Sequence, residues 1–231
     1  MGRNRTIPRS ASLTAPFTQG GLIIGITGGS GSGKTTLLHL IRERNGLVLD
    51  CDAIYHELLK TDEGLLRAIE NRFPGTVADG ELNRKKLGSI VFGDEKALLD
   101  LNAITHAAVK DEVLRRLEEA PGLAAIDAIG LFEGGLAELC DVTVAVTAPA
   151  SLRVQRLMAR EGISEEYAKK RIAAQHEEAW FREKCDYVLE NDGTLDAFRA
   201  KCLAFFAPCV YNGYMTAGEG QPSRQKEEEK L

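Results

Sequence analysis

No run of apolar residues in this chain approaches the roughly 18 to 20 that carry a helix across a bilayer, so a helical membrane protein is excluded. Surplus positive charge is missing too: 29 Lys and Arg stand against 34 Asp and Glu, a formal net charge of -5. A general nucleic-acid binder needs a net basic footprint, so that class is set aside, while a local basic pocket is still allowed. Cysteine is sparse: Cys51, Cys140, Cys185, Cys202 and Cys209 are scattered and contain no CxxC pair. Neither a disulfide framework nor a zinc site follows, and a reducing, cytoplasmic setting fits best. The four histidines lack a metal spacing such as HExxH, aromatics make up only 6% of residues, and no internal repeat is present. What remains, 44% hydrophobic and 27% charged residues over 231 positions, is the balance of a globular chain with material for one sizeable core.

Residues 1–20 carry Arg3, Arg5 and Arg9 with no acidic residue and no apolar periodicity, and are expected to form a disordered extension. An organelle transit peptide has a similar composition, but the amphipathic stripe it needs is missing. Residues 209–231 end densely charged with little to bury and are expected to be a solvated tail. Between them, at 21–208, the runs LIIGIT (22–27), LVLD (47–50), LAAID (123–127), DVTVAVT (141–147) and DYVLE (186–190) read as short strands covered on both faces. Helical patterns separate them, over roughly 33–44, several segments within 53–118, then 149–160, 164–181 and 194–206. This alternation predicts right-handed βαβ crossovers, hence an α/β fold with a parallel five-stranded sheet. The long helical insert at about 53–118 is room enough for a substrate-binding flap.

The sharpest feature is Gly28-Gly29-Ser30-Gly31-Ser32-Gly33-Lys34-Thr35-Thr36, a GxxxxGK[ST] string directly after the first strand and directly before a helix. Glycines let the backbone turn so that successive N–H groups face a phosphate, and the helix start adds unpaired donors and the positive end of its dipole. Lys34 would reach the β- and γ-phosphates of ATP, and the Thr35 hydroxyl would ligate Mg²⁺. The context predicts a three-layer phosphate-loop NTPase fold.

The second strand ends in Asp50-Cys51-Asp52. If the chain stays extended, Asp50 and Asp52 share a side, and a strand beside the phosphate-loop strand would deliver Asp52 to the crevice. There it would accept a hydrogen bond from an acceptor hydroxyl and align its attack; the alternative is a helix cap for the segment starting at Ala53. Asp127 closes the third strand, as a carboxylate that holds Mg²⁺ directly or through water, or as another capping residue. Glu133 either touches substrate or is a solvated loop carboxylate. Arg153, Arg156 and Arg160, at i, i+3 and i+7, share a helix face. Ser164 reads as an N-cap, and Arg171 and Gln175 follow at i, i+4 on the next helix. Together, at about 151–180, they predict an arginine-bearing helical lid that closes over polyphosphate. His39 and His176 read as surface residues, and His106 as a packing or substrate-pocket residue.

In order and spacing these residues resemble the dephospho-CoA kinase family over about residues 22–206. The resemblance rests on GGSGSGKTT (28–36), LDCD (49–52), DGELNRKKL (79–87), the His of ITHAAV, DAIGLFE (127–133), QRLMARE (155–161), RIAAQ (171–175) and DYVLEND (186–192). It implies ATP-dependent phosphorylation of the ribose 3′-hydroxyl of dephospho-CoA, with no nucleic-acid or membrane partner. It implies the acceptor-activating aspartate at Asp52, a flap arginine at Arg84, lid arginines at Arg156 and Arg160, and Arg171 and Gln175 following. His106, Glu133, Arg171 and Gln175 then fall with substrate, and Asn191 with Arg156 on the nucleotide. Arg153 is not a family position and is expected to matter less. The chain departs from the family at Ser30, usually aliphatic, at Ala107, usually Pro, and at Ile129-Gly130, where a Pro-Leu run is usual. A uridine kinase-like or other small-metabolite kinase of the same fold is therefore the alternative, and an ATP-binding regulatory switch a second.

Overall fold

The structure, a computed structural model, describes residues 21–211, so the expectations for 1–20 and for the end of the 209–231 tail lie outside the described residues. In chain order the elements are β1 (Ile23–Thr27), α1 (Lys34–Arg42), β2 (Leu47–Asp50), α2 (Cys51–Thr61), α3 (Glu63–Arg72), β3 (Val77–Ala78), β4 (Glu81–Leu82), α4 (Arg84–Val91) and α5 (Glu95–Glu119). They continue with β5 (Ala124–Asp127), β6 (Val142–Thr147), α6 (Ala150–Glu161), α7 (Glu165–Ala173), α8 (Glu178–Lys184), β7 (Tyr187–Glu190) and α9 (Leu195–Tyr211).

Five strands form one parallel sheet in the order β2-β5-β1-β6-β7. Side chains alternate along β1, so Ile24 and Ile26 are buried with α1 and α9 on one face. On that face Phe198, Cys202, Phe205 and Phe206 form the i, i+4, i+7, i+8 stripe that seats α9. Cutting Phe198 back to Ala would cost about 3–5 kcal/mol. The opposite face buries Leu49 and Ile126 under α2, α3, α4 and α5, and Ala145 under Phe181 of α8. The result is the expected three-layer α/β architecture. Short side chains start these helices: Asp62, Asn83, Asp94 and Ser164 each accept backbone N–H bonds from the first turn that follows.

Three local expectations are corrected. β2 does not lie beside β1, because β5 pairs with both. That arrangement sets Asp50 directly across from Asp127. Second, the chain does not stay extended past β2: Asp50 accepts the Ala53 N–H at 3.0 Å and turns Cys51 into α2. Asp50 and Asp52 therefore share no strand face, and Asp50, not Asp52, caps the helix. Third, the single helix expected at 164–181 is two helices, broken between Ala173 and Glu178. The insert at about 53–118 also holds a small antiparallel pair, Val77 with Leu82 and Ala78 with Glu81, which helical patterning did not predict.

Candidate active site

The phosphate loop spans the gap between β1 and α1. Gly28 sits at φ 135°, where a Cβ would come within 2.2 Å of the Val146 carbonyl oxygen. Gly33, at φ 100°, immediately precedes α1 and leaves no side chain to cap it. The first turn of α1 carries no acidic residue either, so its unpaired N–H groups and dipole are free to meet an anion. Thr35 is exposed there, and the Thr36 N–H donates to the Gly33 carbonyl at 3.1 Å. These local features follow from the glycine spacing and hold the loop open towards ligand.

Side chains from distant elements brace the loop carbonyls. Arg156 Nη1 donates to Gly31 O and Ser32 O at 3.2 and 3.3 Å, and its Nη2 donates to Asn191 Oδ1 at 3.2 Å. Buried Asn191 in turn donates to Ser32 O at 2.8 Å. Arg153, expected to matter less, is half-buried and donates Nε to Ser30 O at 2.9 Å. Burial pulls its guanidinium below the ordinary arginine value. Gln175 does not continue a helix from Arg171: it lies beyond the end of α7 and bonds Ser30. Helical spacing placed Arg153 beside Arg156, but only the fold reveals which arginines reach the loop.

Lys34 donates to the Gly28 carbonyl at 2.9 Å and stands 3.9 Å from Asp127 Oδ1. Asp127 is largely buried, and burial pushes its carboxyl up to about 6; Lys34 opposes that rise, while Asp50 and Asp52 add to it. Its Oδ1 has no hydrogen-bond donor. A buried carboxylate oxygen without a donor, in one cavity with the Thr35 hydroxyl, suits a divalent cation that takes one protein carboxylate and keeps phosphate and water ligands.

Two cavities meet here. One, of about 270 Å³, follows the loop and is lined also by Lys34, Thr35, Asp127, Arg156, Arg160 and Arg171. The other, of about 160 Å³, lies between α2, α5 and the loop after β5, with Cys51, Tyr55, His106, Val109, Gly130 and Gly134 in its wall. Burial lifts the Cys51 thiol to about 12 and also raises Tyr55, so neither is an anion at neutral pH. Asp52, on the first turn of α2, and Ile129 line both cavities.

Other predicted positions are spread more widely. Arg84, the first residue of α4, is exposed with Nη2 3.3 Å from His56 Nδ1. Arg160 is exposed and bonded to Glu161, to which Arg171 also donates at 2.6 Å. Glu133 lies 2.7 Å from His176 Nε2 and does not line the 160 Å³ cavity. His176, read as a surface residue, is exposed but engaged: its ring stacks on Trp180 with centroids 3.8 Å apart. The i, i+4 spacing of His176 and Trp180 could have flagged the stacking, whereas the Glu133 partner, 43 positions away, has no local signature.

The family model for dephospho-CoA kinase matches residues 22–197. The chain is 36% identical over 189 residues to the dephospho-CoA kinase of Moorella thermoacetica, covering 79% of this chain and 89% of that one. It is 38% identical over 198 residues to that of Symbiobacterium thermophilum, covering 83% of each. The crystal structure of TT1252 from Thermus thermophilus superposes with a TM-score of 0.70 at 35% identity, over 82% of this chain and 98% of that one.

Proposed function

The chain belongs to the dephospho-CoA kinase family, and from that premise we propose that it transfers the γ-phosphoryl group of ATP to the ribose 3′-hydroxyl of dephospho-CoA. The products are coenzyme A and ADP, and the reaction is the last step of coenzyme A biosynthesis. One observation carries the residue assignment: among the described residues, Asp52 is the only charged side chain lining both the phosphate-loop cavity and the neighbouring one. An acceptor in the smaller cavity would therefore present its hydroxyl to Asp52 on the side facing the γ-phosphate.

In this reading Gly28 to Thr36 cradle the phosphates of ATP, and Lys34 leaves the Gly28 carbonyl for a phosphate oxygen. Asn191 and Arg156 support the nucleotide. Arg160 and Arg171 close over the transferring group, where a fixed cation is worth most as water is excluded. Asp52 orients the hydroxyl and accepts its proton late in a loose transition state. His106 lines the acceptor cavity, Arg84 lies on the proposed flap (about 53–118), and α6 and α7 form the proposed lid (about 151–180). Thr35 and Asp127 would hold Mg²⁺, which would supply charge neutralisation to the phosphates of ATP. Glu133 and Gln175, assigned to substrate by resemblance together with Arg171, line neither cavity and would act on substrate only through the loops they hold.

Net charge of -5 supports a small-molecule substrate and no nucleic-acid partner. No helix among the described residues is long and apolar enough to cross a membrane. A cytoplasmic location is supported by free thiols at Cys51, Cys140, Cys185 and Cys202. ADP release measured with dephospho-CoA, uridine, other acceptors or none tests the function. Turnover that requires dephospho-CoA is expected. Preference for uridine would assign a different metabolite kinase, and acceptor-independent hydrolysis an ATP-driven switch.

A further inference from the structure

At the corner between α7 and α8, two consecutive side chains take hold of opposite walls of the site. Gln175 grips the phosphate loop: its Oε1 accepts the Ser30 N–H at 2.9 Å, and its Nε2 donates to Ser30 Oγ at 2.9 Å. Arg153 completes the ring, donating Nη2 to the same Oε1 at 2.6 Å and Nε to Ser30 O at 2.9 Å. The next residue, His176, reaches the other way, with Nε2 2.7 Å from Glu133 Oε1 in the loop after β5. Phe132, beside Glu133, meets Trp180 edge-on at 5.4 Å, and Trp180 carries the stacked His176 ring. That same loop supplies Ala128, Ile129, Gly130 and Gly134 to the wall of the 160 Å³ cavity.

Adjacent Cα atoms are tied about 3.8 Å apart, so Gln175 cannot settle on the phosphate loop without fixing where His176 stands. The two contacts differ in strength. The Ser30 clasp is partly buried and made of several hydrogen bonds. The His176 and Glu133 side chains are 44% and 43% exposed, so water competes for their contact and it can be made and broken. Ordering this corner costs side-chain freedom. A ligand that orders one wall bears that cost, and a second ligand meets a wall already in place.

Resting on the dephospho-CoA kinase reading, we propose that the Gln175–His176 corner is a positioning element that couples the two cavities, so that each substrate tightens the binding of the other. Neither residue touches a reacting atom in this account. Gln175 acts through Ser30, and His176 acts through Glu133 and the loop that walls the acceptor.

Calorimetric titration of the whole chain with a non-hydrolysable ATP analogue and dephospho-CoA, each alone and then together, measures the coupling. In the unmodified chain the analogue should tighten dephospho-CoA at least about fivefold, and by thermodynamic necessity the reverse factor is the same. Gln175→Leu and His176→Phe should each bring that factor close to one. His176→Phe should leave affinity for the analogue alone within about twofold, since it keeps a ring on Trp180 and the hydrogen bond it removes goes to Glu133, not to the phosphate loop. Gln175→Glu keeps acceptors for the Ser30 N–H and hydroxyl and should restore most of the coupling. Trp180, the one tryptophan of the sequence, gives an optical check: its emission should respond to the analogue in the unmodified chain and not in Gln175→Leu. A merely structural corner would lower thermal stability and weaken each ligand alone while the factor persisted, and that result overturns the proposal. A factor of one in the unmodified chain overturns it as well. Coupling to another acceptor, with dephospho-CoA unable to bind, would sink the proposed function and leave the corner standing.

Discussion

Lys34 Nζ stands 3.9 Å from Asp127 Oδ1 while its hydrogen bond goes to the Gly28 carbonyl at 2.9 Å. The ammonium thus only partly offsets the burial of the carboxylate, which is why the Asp127 carboxyl is pushed up to about 6 rather than down. A carboxylate held at such cost suits a cation ligand.

That cost has a pH signature. Asp127 binds its proton more tightly in the folded chain than in the unfolded one, so between about pH 4 and 6 the folded state holds the extra proton. Stability therefore falls as pH rises through that window, by up to about 3 kcal/mol from this group. Asp127→Asn should remove the fall. Urea unfolding of the free enzyme should show the variant more stable at pH 7.5 and equal to the parent below about pH 4, with phosphoryl transfer reduced. A variant no more stable at pH 7.5 would contradict the buried-charge account.

Lys34→Met should abolish phosphoryl transfer and leave the unfolding transition cooperative, because the side chain lies in the loop cavity and its loss opens no core cavity. Near-normal turnover would show that the loop does not carry the phosphates.

The arginines of α6 separate by reach. Arg160 is four residues beyond Arg156, about 6 Å further along the helix axis, and is bonded to Glu161. Arg153→Ala and Arg156→Ala strip donors from the carbonyls of Ser30, Gly31 and Ser32 and should weaken ATP binding about tenfold. Arg160→Ala should spare ATP binding and lower turnover by more than tenfold, acting only when the lid closes. Fluorescence titration with ATP beside steady-state rates distinguishes the two patterns; equal small effects at all three would mark an ordinary solvated helix face.

The phosphate loop was legible because its glycine spacing dictates local backbone geometry, and the five strands because apolar runs bounded by turns report burial directly. The order β2-β5-β1 was not, since it is set by pairing between segments far apart in the chain. The fate of Asp50 and Asp52 turned on one hydrogen bond, Asp50 to the Ala53 N–H, that extended and helical readings of the same residues treat differently. The break after Ala173 has no glycine or proline to announce it, because its partners Ser30 and Glu133 are more than 40 positions away. The contact of Arg153 with Ser30 was hidden for the same reason: a helix face is readable from spacing, but the object it meets is not.

The central claim is that Asp52 serves an organic acceptor lying beside the phosphate loop. Asp50 already caps α2, so Asp52→Asn removes at most about 1 kcal/mol of helix-dipole interaction and no cap. One preparation of this variant, assayed for ATP·Mg affinity and for 3′-phosphorylation of dephospho-CoA, tests the account most directly. Affinity within about twofold of the parent and transfer slowed at least about a hundredfold is the predicted result. Unchanged transfer would remove Asp52 from the chemistry, and lost ATP affinity would place it in the metal shell instead.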